Sequence, residues 1–363
     1  MYRVELSKAQ DPQGHFLPEP FIGEFRTPDR QLLTVGVEGE EASRLILLNL
    51  ETFTSTILTD PRLKVTHFQP SPTGEKIYFF ATEDTVQNQD LYELSLESQT
   101  SKLLLDHSRY QNLQMKVSPT QDLVLVERID PGNPFQTQLW VKAADADEFQ
   151  SIDLGTDVIG DFLITPDNSS LLMAQGQGLA ILPLAQEAGE KEFLAQYGQA
   201  IALRSDGTYA ALVKFGTDYI RQLWIVSNTG GVNFQVLATE GSILAGEFDP
   251  TRPILYVVTT LLNPNNFTES PRLLALNWEE QTETELLTAE YPLEMDFNLS
   301  PDGRSLAYAL LQPSQGVPDS RSPLSQTGQT IAIGDLGWMD LTTSGSPQPQ
   351  ALGFSGASVA WIP

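Results

Sequence analysis

Cysteine is absent from the 363 residues and histidine nearly so, with three copies. No disulfide, thiolate metal site or cysteine nucleophile is available. The histidines, His15, His67 and His107, have no partner at metal-ligand spacing, and no His-Glu-x-x-His pair exists. Neither a Gly-x-Ser-x-Gly nucleophile elbow, a P-loop nor a dinucleotide fingerprint is found. Basic residues are scarce: 21 Lys and Arg stand against 47 Asp and Glu, a formal charge of -26. That balance repels phosphate backbones and anionic headgroups, so nucleic acid is not expected as a partner. It favours solubility, and it favours a basic partner or cations over acidic ones. No apolar run is long enough to form a membrane-spanning helix. The first residues, Met1 to Ser7, lack the apolar centre of a signal peptide. The expected location is periplasmic or otherwise extracytoplasmic if an export signal was removed, and cytoplasmic if not.

A repeat is present. A short strand enters a Pro-Asp-Gly-like turn, a strongly apolar strand leaves it, and two more strands follow. The clearest copy runs from Phe297 to Tyr308 through Ser300-Pro-Asp-Gly303. Others centre on Ser71-Pro-Thr-Gly74, Ser118-Pro-Thr-Gln121, Thr165-Pro-Asp-Asn168 and Arg204-Ser-Asp-Gly207, with weaker ones at Phe25–Leu33 and Phe248–Leu255. The proline slot falls at Pro28, Pro72, Pro119, Pro166, Ser205, Pro250 and Pro301, in steps of 39 to 51 residues. This is the spacing of propeller blades. Proline fixes φ early in the turn, Asp or Thr bonds back to the backbone, and Gly or Asn accepts positive φ.

Within units, alternation at period two marks half-buried strands. The second unit reads as strands at Val65–Gln69, Lys76–Ala81, Asp90–Leu96 and Ser101–Leu105; the fifth as Ala200–Leu203, Tyr209–Lys214, Arg221–Ser227 and Phe234–Ala238. Leu182–Ala195 is the one stretch with helical character, interrupted by Pro183 and Gly189. The expected fold is all-β: one domain over residues 1–363, a seven-bladed propeller of four-stranded antiparallel blades. Eight blades is the alternative. The terminal segments should share the closing blade, with Val359–Trp361 as a first strand and Tyr2–Leu6 as an outer one. Closure removes the exposed sheet edges of an open array.

The Ser300–Gly303 turn and its degenerate forms at 71–74 and 165–168 resemble the repeats of TolB-type propellers, a branch of the WD-repeat-like superfamily. The resemblance covers residues 20–363 and lies in the structural turn. It implies a bacterial protein, usually exported, that binds protein partners over one face. Propellers of prolyl-oligopeptidase-like enzymes share the repeat but carry a separate hydrolase domain. The blades are expected to use up this chain, leaving no room for that domain or for the helical N-terminal domain of TolB.

Loops between second and third strands should crowd one rim, opposite the Pro-Asp-Gly turns. They vary from short (175–178, 216–220) to long (83–89, 129–138, 263–271), the longest running from Gln312 to Gln329. Variable loops on a rigid ring carry binding sites. Three contain prolines, which limit the entropy lost on binding, together with amides or an aromatic. They supply the expected binding residues: Asp130, Asn133 and Phe135; Asn265, Asn266 and Phe267; Asp319 and Arg321. The bland alternative folds Phe135 and Phe267 back onto their own blades. Acid pairs Glu247/Asp249 and Glu294/Asp296 sit at period two on first strands and, with Asp161, are expected either to line the channel as a negative funnel or to sit as exposed loop-end charges. His67 is expected in an inner strand as a core or channel residue. Asp145-Ala-Asp-Glu148 lacks a full calcium ligand set and reads as a solvated turn. The glycosylation-like triplets at Asn168, Asn266 and Asn298 mostly coincide with repeat turns. The resulting expectation is a monomeric, non-enzymatic interaction scaffold with no cofactor or metal. It would bind a protein partner, basic in character, on the long-loop face. The alternative is a carboxylate-based glycan-acting enzyme, or a cation or small-ligand binder at the channel mouth.

Overall fold

The structure is a computed structural model that describes residues 2–6, 21–25, 29–38, 41–83, 89–152, 159–176, 178–184, 192–216, 218–231, 233–313, 331–343 and 347–363. Every regular element among them is a strand. Seven four-stranded antiparallel sheets form the ring.

Strands β1 (Tyr2–Leu6) and β2 (Phe21–Phe25) pair only with each other in a separate hairpin. Blade 1 joins β30 (Val359–Trp361) to β3 (Gln31–Glu38), β4 (Glu41–Asn49) and β5 (Thr54–Ile57). Blade 2 is β6 (Lys64–Pro70), β7 (Lys76–Thr82), β8 (Asp90–Ser95) and β9 (Thr100–Leu105). Blade 3 is β10 (Gln111–Val117), β11 (Val124–Ile129), β12 (Thr137–Lys142) and β13 (Gln150–Ile152). Blade 4 is β14 (Phe162–Ile164), β15 (Ser170–Gln175), β16 (Gly178–Pro183) and β17 (Glu192–Leu194). Blade 5 is β18 (Gln199–Leu203), β19 (Tyr209–Phe215), β20 (Arg221–Ser227) and β21 (Asn233–Thr239). Blade 6 is β22 (Ile243–Phe248), β23 (Ile254–Leu262), β24 (Glu269–Asn277) and β25 (Thr282–Thr288). Blade 7 is β26 (Glu294–Leu299), β27 (Ser305–Pro313), β28 (Ile331–Asp340) and β29 (Gln350–Gly356).

The repeated turn explains the register. In Ser300–Ser305, the Gly303 N–H donates to the Ser300 carbonyl at 2.8 Å, and the Ser300 N–H donates to the Ser305 carbonyl at 2.8 Å. Gly303 takes φ 68°, the left-handed position that closes a type I turn into a hairpin. The Ser300 hydroxyl donates to the Asp302 carboxylate at 2.7 Å. Residues 71–76, 165–170 and 204–209 repeat both backbone bonds, with Gly74, Asn168 and Gly207 at positive φ. Asparagine substitutes for glycine because its short polar side chain tolerates this region.

Second strands are buried on both faces, as in the run Ile77 to Thr82, because a blade in a ring stacks on two neighbours. Six apolar clusters sit between consecutive blades. One spans blades 7, 1 and 2; the others lie at the junctions 2–3, 3–4, 4–5, 5–6 and 6–7. Trp278 anchors the 5–6 junction, buried edge-on against Phe248 at 5.5 Å and tilted against Tyr209 at 5.6 Å. At Gly337 a Cβ would fall 2.2 Å from the Tyr308 ring, so only glycine lets that ring lie flat on β28.

The ring closes with Leu32–Thr34 of β3 paired to Val359–Trp361. The C-terminal strand is therefore the inner strand of blade 1, as expected. Tyr2–Leu6 is not its outer strand; Thr54–Ile57 is, and the Phe25 copy of the repeat has its first strand in the separate hairpin. Seven blades, not eight, complete the circle. Leu182–Ala195 begins in β16 and ends just past β17, with 185–191 outside the described residues.

Candidate functional site: the channel and the loop face

The channel is built from the repeat itself. The residue three positions before each turn proline, or its equivalent, lines the central cavity: Gln69, Lys116, Leu163, Ala202, Glu247, Asn298 and Ala360. One belt of seven side chains, one per blade, therefore rings a cavity of about 1320 Å³. Period-two geometry puts these side chains inward while their neighbours enter the blade stacks.

Several belt residues reach across to the next blade. Gln69 Oε1 accepts from the Val117 N–H at 2.6 Å. Glu247 accepts from the Leu299 N–H at 2.5 Å and from Asn298 Nδ2 at 2.6 Å. Asn298 Oδ1 accepts from the Trp361 N–H at 2.8 Å, and the Trp361 indole donates to the Asn298 carbonyl at 3.0 Å. Two residues earlier, Asp296 accepts from the Val359 N–H at 3.2 Å. The short closing strand is thus hydrogen-bonded to β3 of its own blade on one side and to blade 7 on the other.

Burial pushes the Glu247 carboxyl up to about 7 against its two hydrogen bonds, and the Asp296 charge adds to the rise. Burial likewise pushes Asp296 up to about 6, again against the bonds its carboxylate accepts. Across the channel, the His67 ring is open to the cavity yet walled in by protein. That enclosure, and then the Lys116 ammonium, lowers it to about 4, leaving a neutral imidazole at pH 7. Lys116 lies 3.5 Å from Asp161.

The acidic funnel is smaller than the sequence suggests. Glu247, Glu294 and Asp296 line the cavity; Asp249 and Asp161 do not. Asp249 follows the end of β22, where period two no longer applies, and is fully buried against Arg252 at 2.6 Å. Asp161 lies just before β14, about half exposed beside Lys116. Among the described residues no group of three acidic or histidine side chains is placed to hold a metal. Asp145, Asp147 and Glu148 lie in an irregular segment between β12 and β13.

The predicted loop residues do not converge. Asp130, Asn133 and Phe135 belong to blade 3; Asn265, Asn266 and Phe267 belong to blade 6, three blades away. Asp319 and Arg321 lie outside the described residues. The polar members hold their own turns: Asp130 Oδ1 accepts from Gly132 N–H, Asn133 Nδ2 donates to Gln136, the Asn265 N–H donates to Asn263 Oδ1, and Asn266 Oδ1 accepts from Thr268. The aromatic members do not fold back. Phe135 is 84% exposed and Phe267 78%. Of the two, only Phe267 lines the channel mouth.

Three aromatics that the sequence reading passed over share the loop face: Phe215, Tyr219 and Tyr291, all exposed. They sit in or beside short connections, at the end of β19, before β20 and between blades 6 and 7. A usable signal existed, since an aromatic in a five-residue loop has no strand face on which to hide.

No protein-family model matches the chain, and no curated protein matches it. Solved structures do. The β-propeller domain of the Trilobed protease from Pyrococcus furiosus aligns with a TM-score of 0.58 and 13% identity over 90% of this chain and 98% of that one. That domain is described as having an open velcro topology, whereas here the C-terminal strand closes blade 1. An oligogalacturonate lyase in complex with manganese aligns at 0.55 and 11% identity, over 73% of this chain and 79% of that one. TolB from Acinetobacter baumannii aligns at 0.51 and 13% identity, over 72% of this chain. The chain spans 64% of the length of that TolB. At such identities the likeness is one of fold. By that fold the chain is a seven-bladed β-propeller, similar in architecture to the propeller of TolB.

Proposed function

We propose that the chain is a non-enzymatic interaction scaffold that grips a protein partner with its long-loop face. The observation carrying this reading is where apolar surface is left uncovered. Ten large hydrophobic residues are exposed among those described, and six of them, Phe135, Phe215, Tyr219, Leu261, Phe267 and Tyr291, are on or beside this face. Exposed aromatics that cluster on one face of a rigid scaffold are what binding sites are made of. The channel supports the same reading from the other side. Both Glu247 oxygens are engaged by blade 7, and Asp296 is tied to the closing strand. These carboxylates hold the ring together. No helix of the described residues is long and apolar enough to cross a membrane.

A second reading rests on one feature: two carboxyls with raised pKa values facing a deep cavity suit a carboxylate-based glycan-acting enzyme or a cation or small-ligand binder. Site-specific photo-crosslinking in the source cells separates the two. A crosslinker replacing Phe135 or Tyr219 is expected to capture a protein, while one replacing Phe53, exposed at the turn between β4 and β5 on the opposite face, captures none. Affinity of the purified partner should fall about tenfold on alanine substitution of the loop-face aromatics. Capture only at position 53 overturns the scaffold reading.

A further inference from the structure

Within the loop face, exposed aromatics and carboxylates concentrate on the sector from blade 5 to the junction of blades 6 and 7. Tyr219 is 89% exposed, Phe267 78% and Tyr291 57%. Tyr219 and Phe267 hold φ of 65° and 58°, a region that bulky side chains seldom enter. At both places an aromatic occupies a loop position where glycine or asparagine would sit more easily.

Carboxylates alternate with these rings. Asp218 precedes Tyr219, Glu290 precedes Tyr291, and Glu240 lies in the connection between blades 5 and 6; all three are exposed. Arg221, two residues after Tyr219, is already engaged: it donates to the Glu240 and Gly241 carbonyls at 3.1 and 3.0 Å. Phe267 and Tyr291 also line the cavity mouth, where Glu269 and Glu294 add negative charge.

The opposite sector has a different character. There Arg128 is buried between the Tyr110 and Trp140 rings, at 5.2 and 5.1 Å, and Arg109 stands 5.3 Å over Tyr110. Its cations are packed against the protein's own rings. The exposed rings Tyr219, Phe267 and Tyr291 do not take part in any such stack, and carboxylates lie close to them in sequence: Asp218 and Glu290 precede the tyrosines, and Glu269 follows Phe267 by two residues. Ring faces and carboxylates together attract one chemistry: a cation attached to an apolar stem.

We propose that the sector bearing Tyr219, Phe267 and Tyr291 docks a partner segment in which Lys or Arg residues alternate with aromatic or aliphatic ones. The cationic groups meet Asp218, Glu240 and Glu290, and the apolar groups cover the rings. The inference rests on the scaffold reading and names the sector and the partner's chemistry. Phosphate-rich partners and anionic membranes are repelled by the same carboxylates.

The test uses the full chain and a fluorescent synthetic peptide of Lys and Trp spaced by Gly and Ser, read by anisotropy at low and high salt. Two controls replace every Lys by Glu, or every Trp by Ser. The Lys/Trp peptide is expected to bind, and both controls to bind about tenfold more weakly. The triple variant Tyr219→Ala/Phe267→Ala/Tyr291→Ala should lose about tenfold. Asp218→Asn/Glu240→Gln/Glu290→Gln should weaken binding and flatten its salt dependence. Phe53→Ala, on the opposite face, should change nothing. If the triple variant loses its circular dichroism signature, the single Tyr219→Ser variant, at the most exposed ring, carries the comparison.

Equal binding by wild type and ring variants overturns the proposal. So does a Lys/Ser peptide that binds as well as Lys/Trp, which would mean diffuse charge attraction, or tighter binding to vesicles of anionic lipid. A natural partner whose affinity falls with Phe135→Ala but not with the triple variant would overturn the sector while leaving the scaffold reading intact. A partner indifferent to every loop-face variant would remove both.

Discussion

Blades 4 and 6 are made to the same plan with different lengths. The strands of blade 4 have 3, 6, 6 and 3 residues; those of blade 6 have 6, 9, 9 and 7. In both, the second strand begins four residues after the turn proline, at Ser170 and Ile254. The three extra residues of β23 therefore all lie toward the loop face, where at about 3.3 Å each they raise the hairpin by roughly 10 Å. The raised hairpin is the one that lifts Phe267 to the channel mouth. The turn end of a blade is fixed by stacking and by the belt; the loop end meets solvent and is free to diverge. Length differences between blades thus collect on the side where a partner would be met.

The largest expected effects test whether the two blades are equal where they stack. Leu171 in β15 and Leu274 in β24 are both fully buried. Leu171→Ala and Leu274→Ala should each cost about 2–5 kcal/mol in chemical denaturation. Costs within about 1 kcal/mol of each other would agree with equal stacking. A far cheaper Leu171→Ala would mean that the short blade is held by its neighbours and not by its own core.

The next effect separates the two turns. Arg252 pairs with the fully buried Asp249 and donates to the Gly303 carbonyl at 2.8 Å and the Leu341 carbonyl at 3.3 Å, binding blade 6 to blade 7. Arg252→Met leaves a buried carboxylate without its cation and should cost about 3 kcal/mol. In blade 4, Asp167 accepts from Thr165 and Ser169 at the surface. Water competes for those bonds, so Asp167→Ala should cost about 1 kcal/mol or less. Thermal melts of the two variants check the ordering.

The turns and the blade count were legible because their chemistry is local. Ser300-Pro-Asp-Gly303 specifies its own hydrogen bonds within six residues, and seven such signals at near-equal spacing leave few other folds. The closing strand was legible for a related reason: Trp361 and Pro363 occupy the places that Leu299 and Pro301 hold in blade 7. The partner of Tyr2–Leu6 was not, since strand pairing is a long-range choice and any alternating segment suits several edges. Of the two places the sequence left open for the acid pair, channel wall or exposed loop end, Glu247 takes the first and the buried Asp249 neither, because the strand ends between them and the alternation ends with it. Phe135 and Phe267 were recognised as loop tips, but whether a tip folds back depends on neighbouring blades. Tyr219 was missed because its loop looked too short to matter, although shortness is what leaves the ring exposed.

The last effect is confined to part of the pH range and concerns the belt position that distinguishes the two blades, Leu163 in blade 4 and Glu247 in blade 6. Leu163 carries no proton, whereas Glu247 is held up to about 7 and its neighbour Asp296 to about 6. The folded chain therefore keeps protons at these sites that the unfolded chain has already released. Above the ordinary carboxylate range the native state binds more protons than the unfolded one, so stability falls as pH rises from about 4.5 to about 7 and then levels off. The contribution is roughly 1 kcal/mol per pH unit for each group while it is protonated in the fold and ionised outside it. Glu269 and Glu294, also on the channel wall, and Lys116 and His67 on the far wall are the other charged and titratable groups of acid or base character that line the cavity with the pair. Glu247→Gln keeps an oxygen to accept from Leu299 but cannot ionise. It should flatten that part of the stability–pH curve and leave the curve's acid side unchanged, whereas Leu163→Ala should shift stability by the same amount at every pH. A Glu247→Gln curve parallel to wild type would show that this carboxyl is ionised throughout, and that its two hydrogen bonds outweigh the cost of burying the charge.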